Sequence, residues 1–339
     1  MKSISNTPIQ KIYNGIYKIT LPLRGNKPGP VNSYLLTGKT NTLIDTGTLE
    51  TVNILNEALA KIGMTFSDIH QIILTHGHVD HFGAAGRIQK YSQSHLEIAA
   101  NQEDLDLIKY RFEVPMRELL KYYTLMGVPV KFKSSLFLVK AVLKFLSERC
   151  KVSRFLSDGD IIQIGDYEAN VISTPGHTRG SICLFIKDEG ILFSGDHILK
   201  HITPNAFVML ETGKVMPERL SQEEYYNSIA MIEKLSPVIV YPAHGEIIED
   251  LLKTTGMFRE QYEQRLMNII NILKEGGDTA FNIGLKLFKN LDNTKLPLEV
   301  FLMISEVYSH IQILEKKGLV TSYIKGRKLY FEINSVIEE

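Results

Sequence analysis

One stretch, Gln71 to Gly86, constrains the fold of this chain more than any other. It reads Gln-Ile-Ile-Leu-Thr-His-Gly-His-Val-Asp-His-Phe-Gly-Ala-Ala-Gly. Ile72 to Leu74 is an apolar run that reads as a buried strand, because it is too short for a helix. His76, His78, Asp80 and His81 then fall within six residues, and an Ala/Gly-rich helical start follows. Strand, abrupt polar turn and helix put these side chains at the carboxyl edge of a sheet, where open α/β folds build their sites. His76 and His78, two apart on an extended turn, can direct both imidazoles at one metal ion. Asp80 and His81, at the first turn of the helix, can face a second ion close by. A polar loop with incidental histidines is the bland alternative. What weighs against it is that further ligand-type side chains occur downstream at similar strand ends.

The residues before this stretch alternate as strands broken by turns. Ile9–Tyr13, Ile16–Leu21, Val31–Leu36 and Thr42–Ile44 are rich in β-branched or aromatic residues and bounded by Gly, Asn or Pro. Asp45 closes the last of them, either as a turn residue or as a carboxylate that holds a metal-bound imidazole. Thr51–Ile62 reads as an amphipathic helix ended by Gly63, and His95–Ala99 as another strand. Strands resume at Ile161–Ile164, Tyr167–Ile172, Ser181–Ile186, Ile191–Phe193 and Val238–Tyr241. Three of them run into short Gly-containing turns: Thr174-Pro-Gly-His177-Thr178, Ser194-Gly-Asp196-His197 and Pro242-Ala-His244-Gly245. Each presents one ligand-type side chain where the β-residues stop. Ser221 and Glu224 have the spacing of a capping box for the helix before the last strand.

Residues 101–156 break this rhythm with helices. Pro115 stands at a helix start, and Met116, Leu119, Leu120 and Tyr123 share one face before Gly127. Ser134 or Ser135 can cap a second helix, Leu136–Arg149, that is apolar almost all round. From Lys109 to Arg154 this insertion carries eleven Lys/Arg against three Glu. Such a run is a solvated face, or a lid that meets an anionic substrate, a phosphate-bearing carrier or a membrane surface.

The tail has a different character. A polar helix, Gly256–Glu275, is followed by helices Thr279–Lys289 and Pro297–Lys317, then by a hairpin of Leu319–Ile324 and Leu329–Ile333. Helix, helix and two-stranded wing is the order of a winged helix. From Met257 onward eleven basic residues balance eleven acidic ones, without the excess expected of a phosphate-binding domain. Lys316, Lys317, Lys325, Arg327 and Lys328 nevertheless cluster near the wing, so nucleic acid stays open as a partner. The other use of such a tail is packing or homodimerisation beside the active-site cleft.

A formal net charge of zero gives no global field to recruit nucleic acid or an anionic membrane. Two cysteines, Cys150 and Cys183, lack CxxC spacing, which points to a reducing, cytoplasmic setting. The N-terminal residues lack the apolar core of a signal peptide, and no run of about 18 apolar residues forms a transmembrane segment.

Thr75-His76-Gly77-His78-Val79-Asp80-His81, with His177, Asp196 and His244 downstream, resembles the metallo-β-lactamase superfamily over about residues 12–250. The H-x-H-x-D-H element is highly specific. The resemblance implies an α+β chain with an αββα sandwich over residues 1–255, a helical insertion at about 101–156, and a winged-helix-like unit at 256–339. It implies one ion on His76, His78 and His177, a second on Asp80, His81 and His244, and Asp196 bridging both. The stretch from Gly195-Asp196-His197 to Asn205, with the tail, is similar to β-lactamase-like-2 and glyoxalase-II-like hydrolases. Arg179 stands where that family often has proline, which bears on the mouth of the site. Five imidazoles and two carboxylates without a thiolate suit Zn²⁺ first, and Fe, Mn or Co as well.

Two such ions would lower the pKa of a shared water toward roughly 7, and the metal-bound hydroxide would attack. Asp80 would orient it and move its proton. The expected activity is hydrolysis of a small ester, thioester or lactone, and the alternative is a nuclease that holds nucleic acid on the winged helix. A flavodiiron redox protein usually has Glu in an H-x-E-x-D pattern where this chain has His78. Asp45, His197 and Asn205 are candidates for substrate or supporting contacts, while His70, His95, His201 and His310 read as surface or structural.

Overall fold

A computed structural model of the chain describes residues 8–24, 28–92, 96–111, 116–134, 136–206, 208, 210, 216–288 and 297–334. His95, Pro115 and Ser135, used above to place a strand and two helix starts, lie outside these residues.

Strands β1 (Ile9–Tyr13), β2 (Ile16–Leu21), β3 (Val31–Leu36), β4 (Thr42–Ile44), β5 (Gln71–Ile73), β6 (Glu97–Ala100) and β7 (Arg154–Phe155) form one sheet in that order. Pairing is antiparallel from β1 to β4 and parallel from β4 to β7. The second sheet holds β8 (Ile161–Ile164), β9 (Tyr167–Ser173), β10 (Ile182–Ile186), β11 (Ile191–Gly195) and β12 (Ile239–Pro242). Between the strands of the first sheet run α1 (Val52–Ala60), α2 (Val79–Phe82), α3 (Ala85–Tyr91) and α4 (Leu105–Tyr110). The insertion contains α5 (Met116–Leu125), α6 (Val130–Ser134) and α7 (Leu136–Phe145). Helix α8 (Ser221–Leu235) precedes β12, and α9 (Leu251–Lys274) follows it. The chain continues with α10 (Ala280–Leu287), α11 (Pro297–Lys316) and the hairpin β13 (Val320–Lys325) and β14 (Lys328–Ile333).

Side-chain alternation explains the layering. In β3 and β4, Tyr34, Leu36 and Ile44 point to the space between the sheets, where they meet Val171, Leu184 and Phe193. Their neighbours Leu35 and Leu43 point the other way, onto Leu55 and Leu59 of α1 and Ile88 of α3. In the second sheet Cys183, Phe185, Leu192 and Val240 turn outward onto Tyr225, Ile229 and Ile232 of α8. The central strands are therefore covered on both faces, which is why β10 and β11 read as nearly continuous apolar runs. The edge strands β1 and β8 keep exposed positions. The architecture is helix, sheet, sheet, helix.

A further core joins two parts of the chain that are far apart in sequence. Leu119, Tyr122, Tyr123, Met126 and Leu136 of the insertion pack with Leu266, Ile269, Ile304, Val307, Ile311 and Phe331 of the tail. The Phe281 amide donates to the Met126 carbonyl at 3.0 Å, and the Val208 amide donates to Ser305 Oγ at 2.6 Å. Periodicity shows that a helix has an apolar face but does not name its partner.

Three local expectations are corrected. The capping box at Ser221 and Glu224 does not form: Leu220 precedes α8 without a side-chain cap bond. Ser221 Oγ instead donates to the Ala206 carbonyl at 3.3 Å, and Glu224 pairs with Arg219 at 2.8 Å, so tertiary partners displace the local ones. Ser134 ends a separate helix, α6, and α7 stops at Phe145 rather than Arg149. Beyond it the Leu146 carbonyl accepts from Leu49 and the Glu148 amide donates to Gly83, drawing the chain off the helix axis. Helix α9 begins at Leu251 rather than Gly256, because the Asp250 carboxylate caps the Lys253 amide at 2.9 Å.

Candidate metal centre

Every candidate ligand sits just past a strand, at one edge of the sandwich. β5 leads into His76 and His78, and the short α2 carries Asp80 and His81. His177 follows β9, Asp196 follows β11 and His244 follows β12. Backbone bonds hold these loops together: the Ile182 amide donates to the Thr75 carbonyl at 2.9 Å, and the Ala243 amide to the Gly195 carbonyl at 2.9 Å. Gly195 has φ +52°, and a Cβ there would lie 2.8 Å from the Thr75 side chain. Only glycine lets the ends of β5 and β11 approach this closely.

The seven side chains converge in two groups, His76, His78, His177 and Asp196, and Asp80, His81 and His244. In the first, His78 Nδ1 lies 3.0 Å from His76 Nε2 and 3.2 Å from His177 Nε2. Asp196 Oδ2 is 3.9 Å from His76 Nε2 and 3.7 Å from His177 Nε2. In the second, His244 Nε2 and His81 Nε2 lie 3.5 Å and 3.7 Å from Asp80 Oδ2. Asp196 faces this group as well, with Oδ2 3.5 Å from His81 Nε2 and Oδ1 3.4 Å from His244 Nε2. Ligands about 2.0–2.2 Å from a tetrahedral ion stand about 3.3–3.6 Å apart, and the separations here, from 3.0 to 3.9 Å, bracket that spacing.

The outward-facing atoms point the same way. His81 Nδ1 meets Asp45 Oδ2 at 2.8 Å, His177 Nδ1 meets the Asn205 carbonyl at 2.9 Å, and His244 Nδ1 meets the Gly29 and Pro30 carbonyls. An acceptor at Nδ1 keeps the proton there and turns the Nε2 lone pair inward. His81 Nε2, His244 Nε2 and Asp196 Oδ1 are buried without a hydrogen-bond partner. Each such atom costs about 1–3 kcal/mol if left unsatisfied. Bare donors aimed at common points are what a bound cation would satisfy.

Electrostatics divides the two groups. Burial and the neighbouring imidazoles hold His76 well below the usual histidine range, and burial with His177 brings His78 down to about 3. Burial also lowers His177. Burial opposes a charge on His81, but Asp196, Asp45 and Asp80 outweigh it and hold His81 well above that range. Asp196 and Asp80 likewise raise His244 against burial. Burial disfavours the Asp196 carboxylate, yet His244 and His81 keep it well below the usual range.

Asp104, which sequence reasoning missed, braces the site. This buried carboxylate accepts from the Gly77 amide at 2.8 Å, the Thr178 hydroxyl at 2.7 Å and the Gly180 amide at 2.7 Å. It thereby ties the loop carrying His76 and His78 to the loop carrying His177. A Cβ on Gly180 would lie 2.8 Å from the Asp104 Cγ. No local pattern announces this role, since the three bonds reach back to residue 77 and forward beyond residue 177.

The remaining candidates are placed differently. Asn205 meets His177 through its backbone carbonyl. His197 is buried beside Tyr225, with ring centroids 4.8 Å apart, and its carbonyl accepts from the Tyr225 hydroxyl. His310 is buried and bonds the Glu306 carbonyl at 2.7 Å, whereas His201 is exposed beside Glu246. Cys150 and Cys183 are pushed up by burial to about 11 and about 12, so neither offers a thiolate.

The sequence model described as the metallo-beta-lactamase superfamily matches residues 26–244. "Probable metallo-hydrolase YqjP" of Bacillus subtilis is 30% identical over 314 residues, covering 90% of this chain and 93% of that one. The "Beta-lactamase-like protein 2 homolog" of Caenorhabditis elegans is 27% identical, covering 79% of this chain and 74% of that one. An "Atrochrysone carboxyl ACP thioesterase" of Aspergillus fumigatus is 24% identical, covering 72% of this chain and 44% of that one. Among solved structures, "metallo-beta-lactamase family protein TTHA1429" from Thermus thermophilus superimposes with a TM-score of 0.82 at 21% identity. That match covers 95% of this chain and 100% of the other.

Proposed function

Because the chain belongs to the metallo-beta-lactamase superfamily, we propose that it is a dinuclear metal-dependent hydrolase of a small thioester or ester. The observation that carries this reading is the position of Asp196. One oxygen faces His76, His177 and His81, and the other faces His244, so the carboxylate is set between the two groups.

His76, His78, His177 and Asp196 would hold one ion, and Asp80, His81, His244 and Asp196 the other. Zn²⁺ suits the donors, as do Fe and Mn. When bound, such ions supply Lewis acidity that activates water and polarises a carbonyl. The protein supplies orientation and proton handling. His78 and Asp80 are only half-buried while the other five ligands are buried, so the site opens on their side. A carboxylate at that opening, 3.5 Å from His244 Nε2, can accept a proton from attacking water and return it to a leaving group. No side-chain nucleophile is required. The thioesterase among the relatives favours a thioester over a phosphodiester.

The tail supports a structural reading. Asp278 forms an isolated antiparallel bridge with Phe331 of β14, beside the two-stranded hairpin. We read the tail as a wall against which the insertion folds. The deciding experiment offers purified protein acyl thioesters, esters, lactones, bis-p-nitrophenyl phosphate and RNA, before and after chelation and metal return. Thioester hydrolysis lost on chelation and restored by metal is the expected result. Turnover of phosphodiesters alone would replace it with the nuclease reading.

A further inference from the structure

The insertion presents a surface that plays no part in the metal centre. Helix α7 divides its side chains into two arcs. Leu136 is buried in the core shared with the tail, and Leu143 packs on the core outside the first sheet. At 3.6 residues per turn, Phe137, Ala141, Phe145, Leu138 and Val142 fall on the opposite side within an arc of about 140°. Phe137, Leu138 and Phe145 are 61%, 64% and 66% exposed, and Val142 is 46% exposed. Val130, at the start of α6, is 77% exposed. Single exposed apolar residues are ordinary, but a continuous helical arc of them marks a contact surface.

Charge identifies what the surface meets. From Leu119 to Ser147 the chain contains Lys121, Lys131, Lys133, Lys140 and Lys144 and no Asp or Glu. Lys140 and Lys144 lie together along one border of the apolar arc. Lys328 of the tail hairpin stands close enough to Lys133 to oppose its charge, so the positive rim runs onto the tail. We propose that this face docks on an anionic lipid surface, the α7 arc entering the headgroup boundary and the lysines meeting lipid phosphates.

Other partners fit less well. A second copy would set lysine against lysine in a segment that has no carboxylate to answer them. Nucleic acid would use the lysines and stack on Phe137 and Phe145, but Leu138, Val142, Ala141 and Val130 make most of the face aliphatic, and residues 119–147 contain no arginine. The inference does not rest on the catalytic reading.

The test is co-sedimentation of the full chain with phosphatidylcholine vesicles, with and without 30% phosphatidylglycerol, at low and high salt. We expect at least tenfold preference for the anionic vesicles, weakened by salt. Phe137→Ser/Phe145→Ser and Lys140→Glu/Lys144→Glu should each cut binding at least tenfold. Phe137, Lys144 and Phe145 are exposed, Lys140 is half-buried, and all four lie outside the metal centre, so soluble-substrate hydrolysis and melting temperature should not move. No preference for anionic vesicles, or equal binding by wild type and variants, overturns the proposal. A wild-type dimer that Phe137→Ser/Phe145→Ser converts to monomer, without vesicle binding, would assign the face to a second copy.

Discussion

Asp45 and His81 face each other at 2.8 Å, Oδ2 to Nδ1, in the interior between the ends of β4 and β5. The same carboxylate accepts the Thr75 hydroxyl at 2.7 Å and the Thr75 amide at 2.9 Å. Its backbone lies in the left-handed region, φ 56°, a conformation that aspartate tolerates better than most residues. One side chain therefore aligns an inward-facing imidazole and fixes the start of the loop that carries His76. Asp45→Asn keeps the size but gives up one acceptor oxygen. Metal affinity should fall about 10–100-fold, the usual cost of losing a partner behind a ligand histidine. Chelator competition measures it, and unchanged affinity would show that Asp45 serves folding alone.

The protein as isolated should contain close to two metal ions per chain. His76→Ala and Asp196→Asn should lose metal and hydrolysis together, Asp196→Asn affecting both ions because its oxygens face both groups. Elemental analysis of folded, active and metal-free wild type would sink the assignment.

Replacing Asp104 with Ala leaves the Gly77 and Gly180 amides and the Thr178 hydroxyl without their buried acceptor. A loss of about 2–4 kcal/mol in stability is expected, read from urea unfolding. Because the two loops carry His76, His78 and His177, metal affinity should fall as well. A variant that is less stable yet binds metal normally would limit Asp104 to folding.

Metal uptake should release protons near neutral pH. His81 is held well above 6.5 and His244 is raised without metal, so this group has the greater proton load for an ion to displace. His76, His78 and His177 are lowered, so their group has fewer protons to release. Affinity at the Asp80, His81 and His244 group should therefore fall more steeply with acidification. In the metal-free protein the sign for stability is opposite. The charged His81 and His244 contribute fully below pH 6.5, and that contribution is lost as pH rises through their folded values. Calorimetric titration in buffers of different ionisation enthalpy counts the protons, and proton-neutral loading would contradict this.

If the tail is a packing wall, wild-type protein should show no salt-sensitive retention on DNA or RNA. Retention that weakens steeply with salt, and disappears on replacing Lys325, Arg327 and Lys328 with Ala, would favour the nuclease reading.

Both the strands and the side chains that converge past their ends were legible in the sequence because their signals are local. Alternating or continuous apolar runs mark β1 to β4 and β8 to β12, and each candidate ligand lies in the loop or short helix that follows a strand. A helix such as α8 can be placed by pattern, but its cap went to Ala206 and Arg219, which pattern does not see. Only the tertiary structure decided which side chains meet. Asp104 became a brace because folding brought Gly77, Thr178 and Gly180 around it. The insertion and the tail, each readable as a unit of its own, came to share one core around Tyr122, Tyr123 and Ile304. Periodicity specifies that a face must leave water, and the choice of partner depends on shape and contacts between segments more than a hundred residues apart.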